Sequence, residues 1–308
     1  MKILITGGLG NLGSWLTEYF VNKGEQVFTF SKNKRDVLPD LNFVRLYGDI
    51  SDEALGNVFE ENQFDVVIHL ASLNEGQLPG YPKSALEVNT WGTRNLLQAI
   101  AGTKSNTHFI YFSTFHVYGV AAGVIDELTT SLTPRNDYGS THLFAEYYIK
   151  QFHQTHKLPF TIFRLTNSYG CPKEISSTKW YLVVNDLAKM AVERKIIQLN
   201  SNGLPQRDFI WMGDVCDVVD KCILKGPAND MFNLGSGASM QMIKVAEIVR
   251  EAYKDYFSTD IEIRVNQKDT NDYRESLHVS IDKLKSWIDF LPVNKVYDEA
   301  INVFRLLS

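Results

Sequence analysis

"KILITGGLGNLG" fills residues 2–13. A short apolar run, 2–6, ends in a loop in which Gly7, Gly10 and Gly13 fall three apart. Beyond it Leu12, Leu16, Tyr19 and Phe20 recur at helical spacing. Strand, glycine loop and helix in that order open a dinucleotide-binding βαβ unit. The loop must turn sharply, admit a pyrophosphate close to the backbone and let helix pack on strand. Side chains would obstruct all three. A phosphate would then face the free N–H groups and the positive dipole end of the helix.

Working outward, further apolar runs lie at 26–30, 42–47, 65–71, 107–113 and 160–165, and helical patterns cover 11–23, 84–100 and 138–155. Turn-bounded strands separated by helices predict a parallel sheet. After about residue 170 the pattern becomes mixed, with helices near 179–193, 214–224, 240–256 and 297–307 and a strand at 208–212. The expected fold is therefore α/β. A doubly wound parallel Rossmann sheet spans residues 1–170, with some later segments returning to it, and a smaller C-terminal α+β substrate-binding cap is drawn mainly from 171–308.

The chain has 308 residues, 44% hydrophobic and 22% charged, with net charge −5. That balance offers no basic stripe for a nucleic acid, and "KNKR" (32–35) is too short to supply one. No apolar run reaches membrane-spanning length, and the N-terminus enters a strand at once rather than a signal peptide. Cys171, Cys216 and Cys222 follow no metal-ligand spacing, so a reduced, cytoplasmic protein without a metal is expected.

The second strand ends "FTFSKNKR" (28–35). NAD-specific sites place an acidic residue there to accept hydrogen bonds from the ribose 2′-OH. Ser31 stands in that place, followed by Lys32 and Arg35, and a serine with cations suits a 2′-phosphate better. NADP(H) is favoured, with NAD(H) left open.

These features recur in a known setting. "GDISD" (48–52), "VIHLAS" (67–72), "VNTWGTRNLL" (88–97), "FSTFHVYG" (112–119), "RLTNSYGCP" (164–172), "RDFIWMGDV" (207–215) and "FNLGSG" (232–237) follow the glycine loop in order. Together they resemble the extended short-chain dehydrogenase/reductase family, in its epimerase/dehydratase group acting on nucleotide sugars. The resemblance covers nearly the whole chain and implies roles. Asn11 and Leu12 in the loop, Asp49 and Ile50, Leu70, Ala71 and Ser72, and Asn89 would line the cofactor, Asp49 against the adenine. Thr114 would hydrogen-bond the reacting sugar oxygen and Tyr138 would be the acid/base. Asn167 and Arg207 would hold the nucleotide diphosphate, with Arg274 as a further cation. The last two motifs would lie in the cap. A homodimer is implied, through a four-helix bundle of helices 84–100 and 138–155, for which Leu96, Leu97, Tyr147, Tyr148 and Phe152 supply apolar positions.

The sequence departs from the family at one place. The motif Tyr-x-x-x-Lys reads Tyr138-Gly-Ser-Thr-His142 here. A histidine with a reference pKa near 6.5 is mostly neutral at cellular pH, so His142 can bond a ribose hydroxyl but pulls little towards a phenolate. Oxidation needs Tyr138 to accept a proton, whereas reduction needs it to donate one, which a neutral phenol can do. Sugar 4,6-dehydratases of the family carry Asp-Glu after the catalytic hydroxyl residue. Phe115-His116 stands here, which argues against that reaction. His116 and His69 read first as packing residues. The expected activity is reduction of a nucleotide-linked keto-sugar, most simply at C4. The alternatives are a C4 epimerase or dehydrogenase with tightly bound NAD(P), and a catalytically weak cofactor-binding protein. Substrate choice would rest on loops 76–83 and 173–180.

Overall fold

The apolar runs named above become strands, but they pair in an order their sequence does not follow. A computed structural model describes residues 1–52, 55–74, 80–103, 106–177 and 180–308. In chain order its first half contains β1 (Lys2–Thr6), α1 (Asn11–Asn22), β2 (Gln26–Ser31), β3 (Val44–Tyr47), α2 (Gly56–Glu61), β4 (Val66–His69), α3 (Tyr81–Ala85), α4 (Thr93–Gly102), β5 (His108–Thr114), β6 (Gly123–Ile125) and α5 (Asp137–His156). The second half adds β7 (Phe160–Leu165), β8 (Asn167–Tyr169), α6 (Val183–Arg194), β9 (Ile196–Gln198), β10 (Gln206–Trp211), α7 (Met212–Lys225), β11 (Asp230–Leu234), β12 (Ser239–Gln241), α8 (Met242–Phe257), β13 (Glu262–Arg264), β14 (Leu277–Val279), α9 (Asp282–Trp287) and α10 (Val296–Leu307).

Contacts divide the chain into two compact units. The first comprises Met1–Val120, Glu127–Leu165 and Val218–Asn233. Its seven-stranded sheet has the order β11-β7-β5-β4-β1-β2-β3. From β3 across to β7 every pairing is parallel. β4 and β5 are buried along their whole length, as strands covered on both faces must be. The chain runs from β1 outward to β3, then returns to β4 on the other side of β1. That reversal opens a crevice at the carboxyl ends of β1 and β4, where open α/β sheets bind ligands. Phe28, Val67, Leu97, Phe109, Ile149 and Phe152 pack around the sheet in one cluster. Each such side chain contributes about 1.5–3 kcal/mol by leaving water.

Three expectations need correction. The helix expected over 84–100 is a composite of α3, a π-helical turn at Leu86–Gly92, and α4. The wide turn is a local unwinding of the kind associated with functional sites. It brings Gly92 against Ile50, where an added Cβ would lie 2.7 Å from Ile50 Cγ2. Second, Phe232 of the "FNLGSG" motif lies in β11, within the first unit's sheet rather than a cap. Third, Leu96, Leu97 and Phe152 are buried in the unit's own core and cannot present a docking surface. The apolar side chains exposed on this stretch and on α5 are Leu86, Trp91, Phe144 and Tyr147.

The second unit, Ala121–Asp126, Thr166–Asp217 and Leu234–Ser308, is a mixed α+β assembly. It contains a three-stranded sheet, β12-β10-β8, and two-stranded pairs β13-β9 and β14-β6. α6, α8 and α10 enclose a core that includes Val184, Leu187, Val249, Val303 and Phe304.

A polar spine crosses the core of the first unit. Glu146 of α5, wholly buried, accepts from Arg164 Nε at 3.0 Å and Nη2 at 2.7 Å, and from Ser113 Oγ at 2.6 Å. Arg164 Nη1 donates to Tyr118 OH at 3.0 Å, and that hydroxyl donates to Asn233 Oδ1 at 2.7 Å. A buried charge is tolerated only when paired and hydrogen-bonded in this way. Arg164→Met leaves the Glu146 carboxylate unpaired, and should lower the unfolding free energy by ~3–5 kcal/mol in urea titrations. Lys244→Ala, which breaks an exposed pair with Glu247, should change it by less than ~1 kcal/mol. Similar losses in the two variants would show that the spine holds nothing.

Candidate active site

The glycine loop has the geometry that an anion needs. Gly10 N donates to Gly7 O at 2.8 Å, and Ser14 N donates to Gly10 O at the same distance. A Cβ on Gly13 would lie 2.1 Å from Gly7 O, so the helix can start this close to the strand only with glycine there. α1 begins at Asn11 after Gly10, with no side-chain cap. Its first-turn N–H groups therefore remain for a ligand. Both amide atoms of Asn11 are buried without a partner, and so is Ser31 Oγ at the end of β2. A buried polar group left unsatisfied costs ~1–3 kcal/mol, so these atoms favour a polar ligand. A dinucleotide fits this donor and acceptor set. Leu70 and Ala71 follow β4 and adjoin the loop, their backbone approaching within 3.1 Å of where a Cβ on Gly7 would stand. Leu12 in the first turn of α1 is half-buried, and Ser72, next after Ala71, is exposed.

The cations after β2 are less available than their sequence suggests. Lys32 Nζ lies 2.6 Å from Asp49 Oδ2. Burial pushes the Asp49 carboxyl up, but hydrogen bonds from Lys32 and Ser51 outweigh it and bring the pKa to about 2. Arg35 Nη1 donates to Leu9 O at 3.1 Å, which sets its guanidinium on the glycine loop. Ile50, expected at the cofactor, belongs to the hydrophobic core. The Asn89 amide is engaged by the protein: Oδ1 accepts from Leu73 N at 2.6 Å, and Nδ2 donates to Leu73 O at 2.9 Å and Thr141 Oγ1 at 3.0 Å. It thereby clamps the chain after β4 to the start of α5.

α5 carries the tyrosine–histidine pair. Asn136 caps it by accepting from Gly139 N at 2.8 Å. A Cβ on Gly139 would lie 2.7 Å from His116 O, so glycine lets the helix start abut the short turn Phe115–Tyr118. Thr114 is buried at the head of that turn, and its Oγ1 accepts from His116 N at 3.2 Å. Tyr138 lies edge-on to His142, ring centroids 4.5 Å apart, and to His116 at 5.9 Å. His142 is 2% exposed. Its Nδ1 lies 2.7 Å from Tyr111 OH, and its Nε2 is buried without a partner. Burial, then the neighbouring His116, lowers the His142 pKa to about 3, so the imidazole is neutral. Thr114, Tyr138 and His142 are thus brought to one end of α5. Tyr111, which sequence reasoning missed, supports them from β5. His69 is the core residue expected, between Thr6 Oγ1 at 2.6 Å and Thr93 Oγ1 at 2.9 Å.

In the second unit, Asn167 Nδ2 donates to Asp208 O at 2.9 Å. Asp208 accepts from Thr166 Oγ1, Ser236 N and Ser236 Oγ. It does not pair with Arg207, whose guanidinium makes no ion pair or hydrogen bond among the described residues. Arg274 pairs with Asp272 at 2.6 Å on an exposed loop. Of the loops expected to choose the substrate, residues 76–79 and 178–179 lie outside the described residues.

Residues 3–235 match the family described as NAD dependent epimerase/dehydratase, and the chain belongs to that family. The dTDP-D-glucose 4,6-dehydratase of Dictyostelium discoideum is 29% identical over 273 residues, which is 80% of this chain and 61% of that protein. An epimerase from Methanothermobacter thermautotrophicus has a TM-score of 0.84 at 24% identity, covering 99% of this chain and 92% of its own. A UDP-glucuronic acid 4-epimerase from Bacillus cereus, in complex with UDP-glucuronic acid and NAD, gives 0.82 at 21% identity over the full length of both chains. The structural likenesses confirm the Rossmann-type fold. Among the described residues no helix is long and apolar enough to cross a membrane.

The buried histidines predict a pH dependence of stability. Burial lowers His69 and His142 to about 3 and His108 to about 4, from 6.5. Below pH 6.5 the unfolded chain takes up protons that the folded chain refuses until its own lower pKa values are reached. Stability is therefore lost as pH falls from 6.5 towards 4, by about 1.4 kcal/mol per unit for each histidine. The urea midpoint should drop between pH 7 and pH 5, and His142→Gln should remove about one proton from that dependence. An unchanged slope in the variant would contradict the buried neutral state.

Proposed function

We propose that the protein is a nicotinamide-dependent oxidoreductase that reduces the ketone of a nucleotide-linked keto-sugar, at C4, with NADP(H) as the preferred cofactor. The observation that carries this reading is the neutral, buried His142 in the place of a cation beside Tyr138. Asn11 and the first-turn N–H groups of α1 would hold the pyrophosphate, and Ser31 with Arg35 the adenosine ribose side. Ser31 brings no negative charge to repel a 2′-phosphate. Lys32 is partly neutralised by Asp49, which weakens the preference without reversing it. When bound, the reduced nicotinamide supplies the hydride for the carbonyl carbon.

The protein's own part is proton transfer and orientation. Tyr138, with the neutral His142 imidazole edge-on to it, donates its proton to the developing alkoxide. Thr114 Oγ1 already accepts from a backbone N–H, which leaves its own hydrogen to align the same oxygen. Phe115 can move no proton, which removes the 4,6-dehydration named for the Dictyostelium relative. Arg207, with no anionic partner among the described residues, would take the diphosphate bidentately, and Asn167 would assist through Oδ1. Arg274, already neutralised by Asp272, contributes less. A second copy of the chain would pair across Trp91, Phe144 and Tyr147, which are exposed on helices of the first unit. Sedimentation as a monomer at micromolar concentration would remove this last point.

The test is NADPH oxidation with nucleotide-linked 4-keto-sugars, preceded by mass spectrometry of small molecules retained through native purification. Stoichiometric NADPH consumption is expected. Turnover of a nucleotide sugar without added cofactor would favour the epimerase reading instead. Tyr138→Phe should lower kcat by ~10²–10⁴. His142→Lys should shift the pH profile of turnover, and an unchanged rate and profile would sink the directional argument.

A further inference from the structure

His69 ends the otherwise apolar strand β4, and the hydrogen bonds on both sides of its ring have a fixed direction. Thr93 Oγ1 lies 2.6 Å from the backbone oxygen of Asn89. A carbonyl can only accept, so the single hydroxyl hydrogen of Thr93 points there. Thr93 then offers a lone pair to His69 Nε2, 2.9 Å away, so Nε2 must carry a hydrogen. On the other side of the ring Nδ1 lies 2.6 Å from Thr6 Oγ1. Thr6 Oγ1 accepts from Ala71 N at 3.3 Å, which agrees with its donating its own hydrogen to Nδ1. The run therefore goes one way, from Ala71 N–H through Thr6, His69 and Thr93 to the Asn89 carbonyl. Its two ends are informative. Thr6 closes β1 and precedes Gly7, and Ala71 N lies 3.0 Å from where a Cβ on Gly7 would stand. Asn89 lies in the π-helical turn. That turn holds the start of α5 by two bonds: Asn89 Nδ2 donates to Thr141 Oγ1 at 3.0 Å, and Thr90 Oγ1 donates to Thr141 O at 2.9 Å.

We propose that His69 is a positioning residue: a strut, with its hydrogen on Nε2, that sets the spacing between the glycine loop and the π-helical turn, and through that turn the spacing between the loop and Tyr138. This rests on the reading of the site as holding a nicotinamide dinucleotide, which would reach from its pyrophosphate on the loop to its nicotinamide beside Tyr138. A ligand that spans two anchor points gains from both only where their separation suits its length. Filling the core does not call for this side chain. Val66, Val67 and Ile68 of the same strand fill it without polar atoms, whereas a buried imidazole costs stability unless both nitrogens are satisfied. His69 meets that demand by joining two segments from opposite sides of one rigid ring. A glutamine in its place could still accept from Thr6 and donate to Thr93, and a methionine of similar length could not replace that pair of bonds.

The experiment has two arms. Nitrogen-15 NMR of the cofactor-free protein labelled at histidine, with the His69 signals identified by their loss in His69→Gln, should show at neutral pH a directly bonded proton on Nε2 and a bare Nδ1. Calorimetry then compares NADPH, which reaches both anchor points, with ADP, which carries the diphosphate and adenosine but no nicotinamide half. His69→Met should weaken NADPH binding about tenfold and ADP binding less than about twofold, because only the longer ligand reads the spacing. His69→Gln should bring NADPH back to within about threefold of wild type. Thr93→Val, which deletes the acceptor for Nε2–H and keeps the shape, should repeat the His69→Met pattern, and Thr93→Ser should not. Loss of NADPH and ADP to the same degree is the result of a merely structural residue and overturns the proposal. So does unchanged affinity for both. A bare Nε2 in the wild-type spectrum also overturns it, and needs no variant to fold. If the wild-type protein binds neither NADPH, NADH nor ADP, the cofactor reading itself fails and the spacing role goes with it, whereas binding of NADPH that His69→Met leaves intact overturns the strut alone.

Discussion

The carboxylate of Glu146 decides where α5 sits, and with it the candidate site. Tyr138, His142 and Glu146 are four residues apart, one above another on a single helix face. The lowest of the three is tied to Ser113 on β5 and by two hydrogen bonds to Arg164 on β7, and through Arg164 and Tyr118 to Asn233 on β11. A helix fixed at that residue cannot turn about its axis to bring His142 into solvent. The imidazole must lie against the sheet, where its choice is between a partner on β5 and none. Tyr111 is that partner.

The same anchor sets the electrostatics. Glu146 and Arg164 neutralise each other one turn beyond His142, and the imidazole itself stays uncharged because burial outweighs any gain from protonation. Burial, and then Glu146, push the Tyr111 phenol well above its ordinary range, so it remains a hydrogen-bonding hydroxyl and never a charge. The wall behind Tyr138 is therefore polar but neutral. Such a wall orients groups without adding charge, in keeping with the proposed proton donation by Tyr138.

The local features of this arrangement were legible in sequence, and the long-range ones were not. The glycine loop announces itself because turn, close approach and helix start are all encoded within residues 6–13. The Tyr138–His142 pair is visible because helical spacing alone places the two side chains together. β11 was missed because its place beside β7 depends on a return of the chain after residue 226, and no local pattern states which sheet a short apolar run will join. The π-helical turn was missed because its period is set by Ile50 packing on Gly92 and by Asn89 clamping Leu73 and Thr141. Tyr111 had a signal that went unread. In "HFIYFST" (108–114) it is the one phenol within an apolar run, and a buried hydroxyl must have a partner.

The ionic residues show why counting cations along the chain overstates a site. Lys32, Arg207 and Arg274 look equivalent in sequence, yet Lys32 leans on Asp49, Arg274 on Asp272, and Arg207 on no described residue. A cation already paired offers an incoming phosphate only the difference between two attractions, one of which is broken on binding. An unpaired guanidinium offers the whole. The same reasoning applies to neutral groups: Asn11, Ser31 and His142 Nε2 are informative because the fold has buried them and left them unsatisfied, whereas Asn89 and Asp208 are saturated by their own backbone and side-chain neighbours. Chemistry in this protein is best located by the valences the fold leaves open, and Asn11, Ser31 and His142 Nε2 mark three of them at the loop after β1, the end of β2 and the inner face of α5.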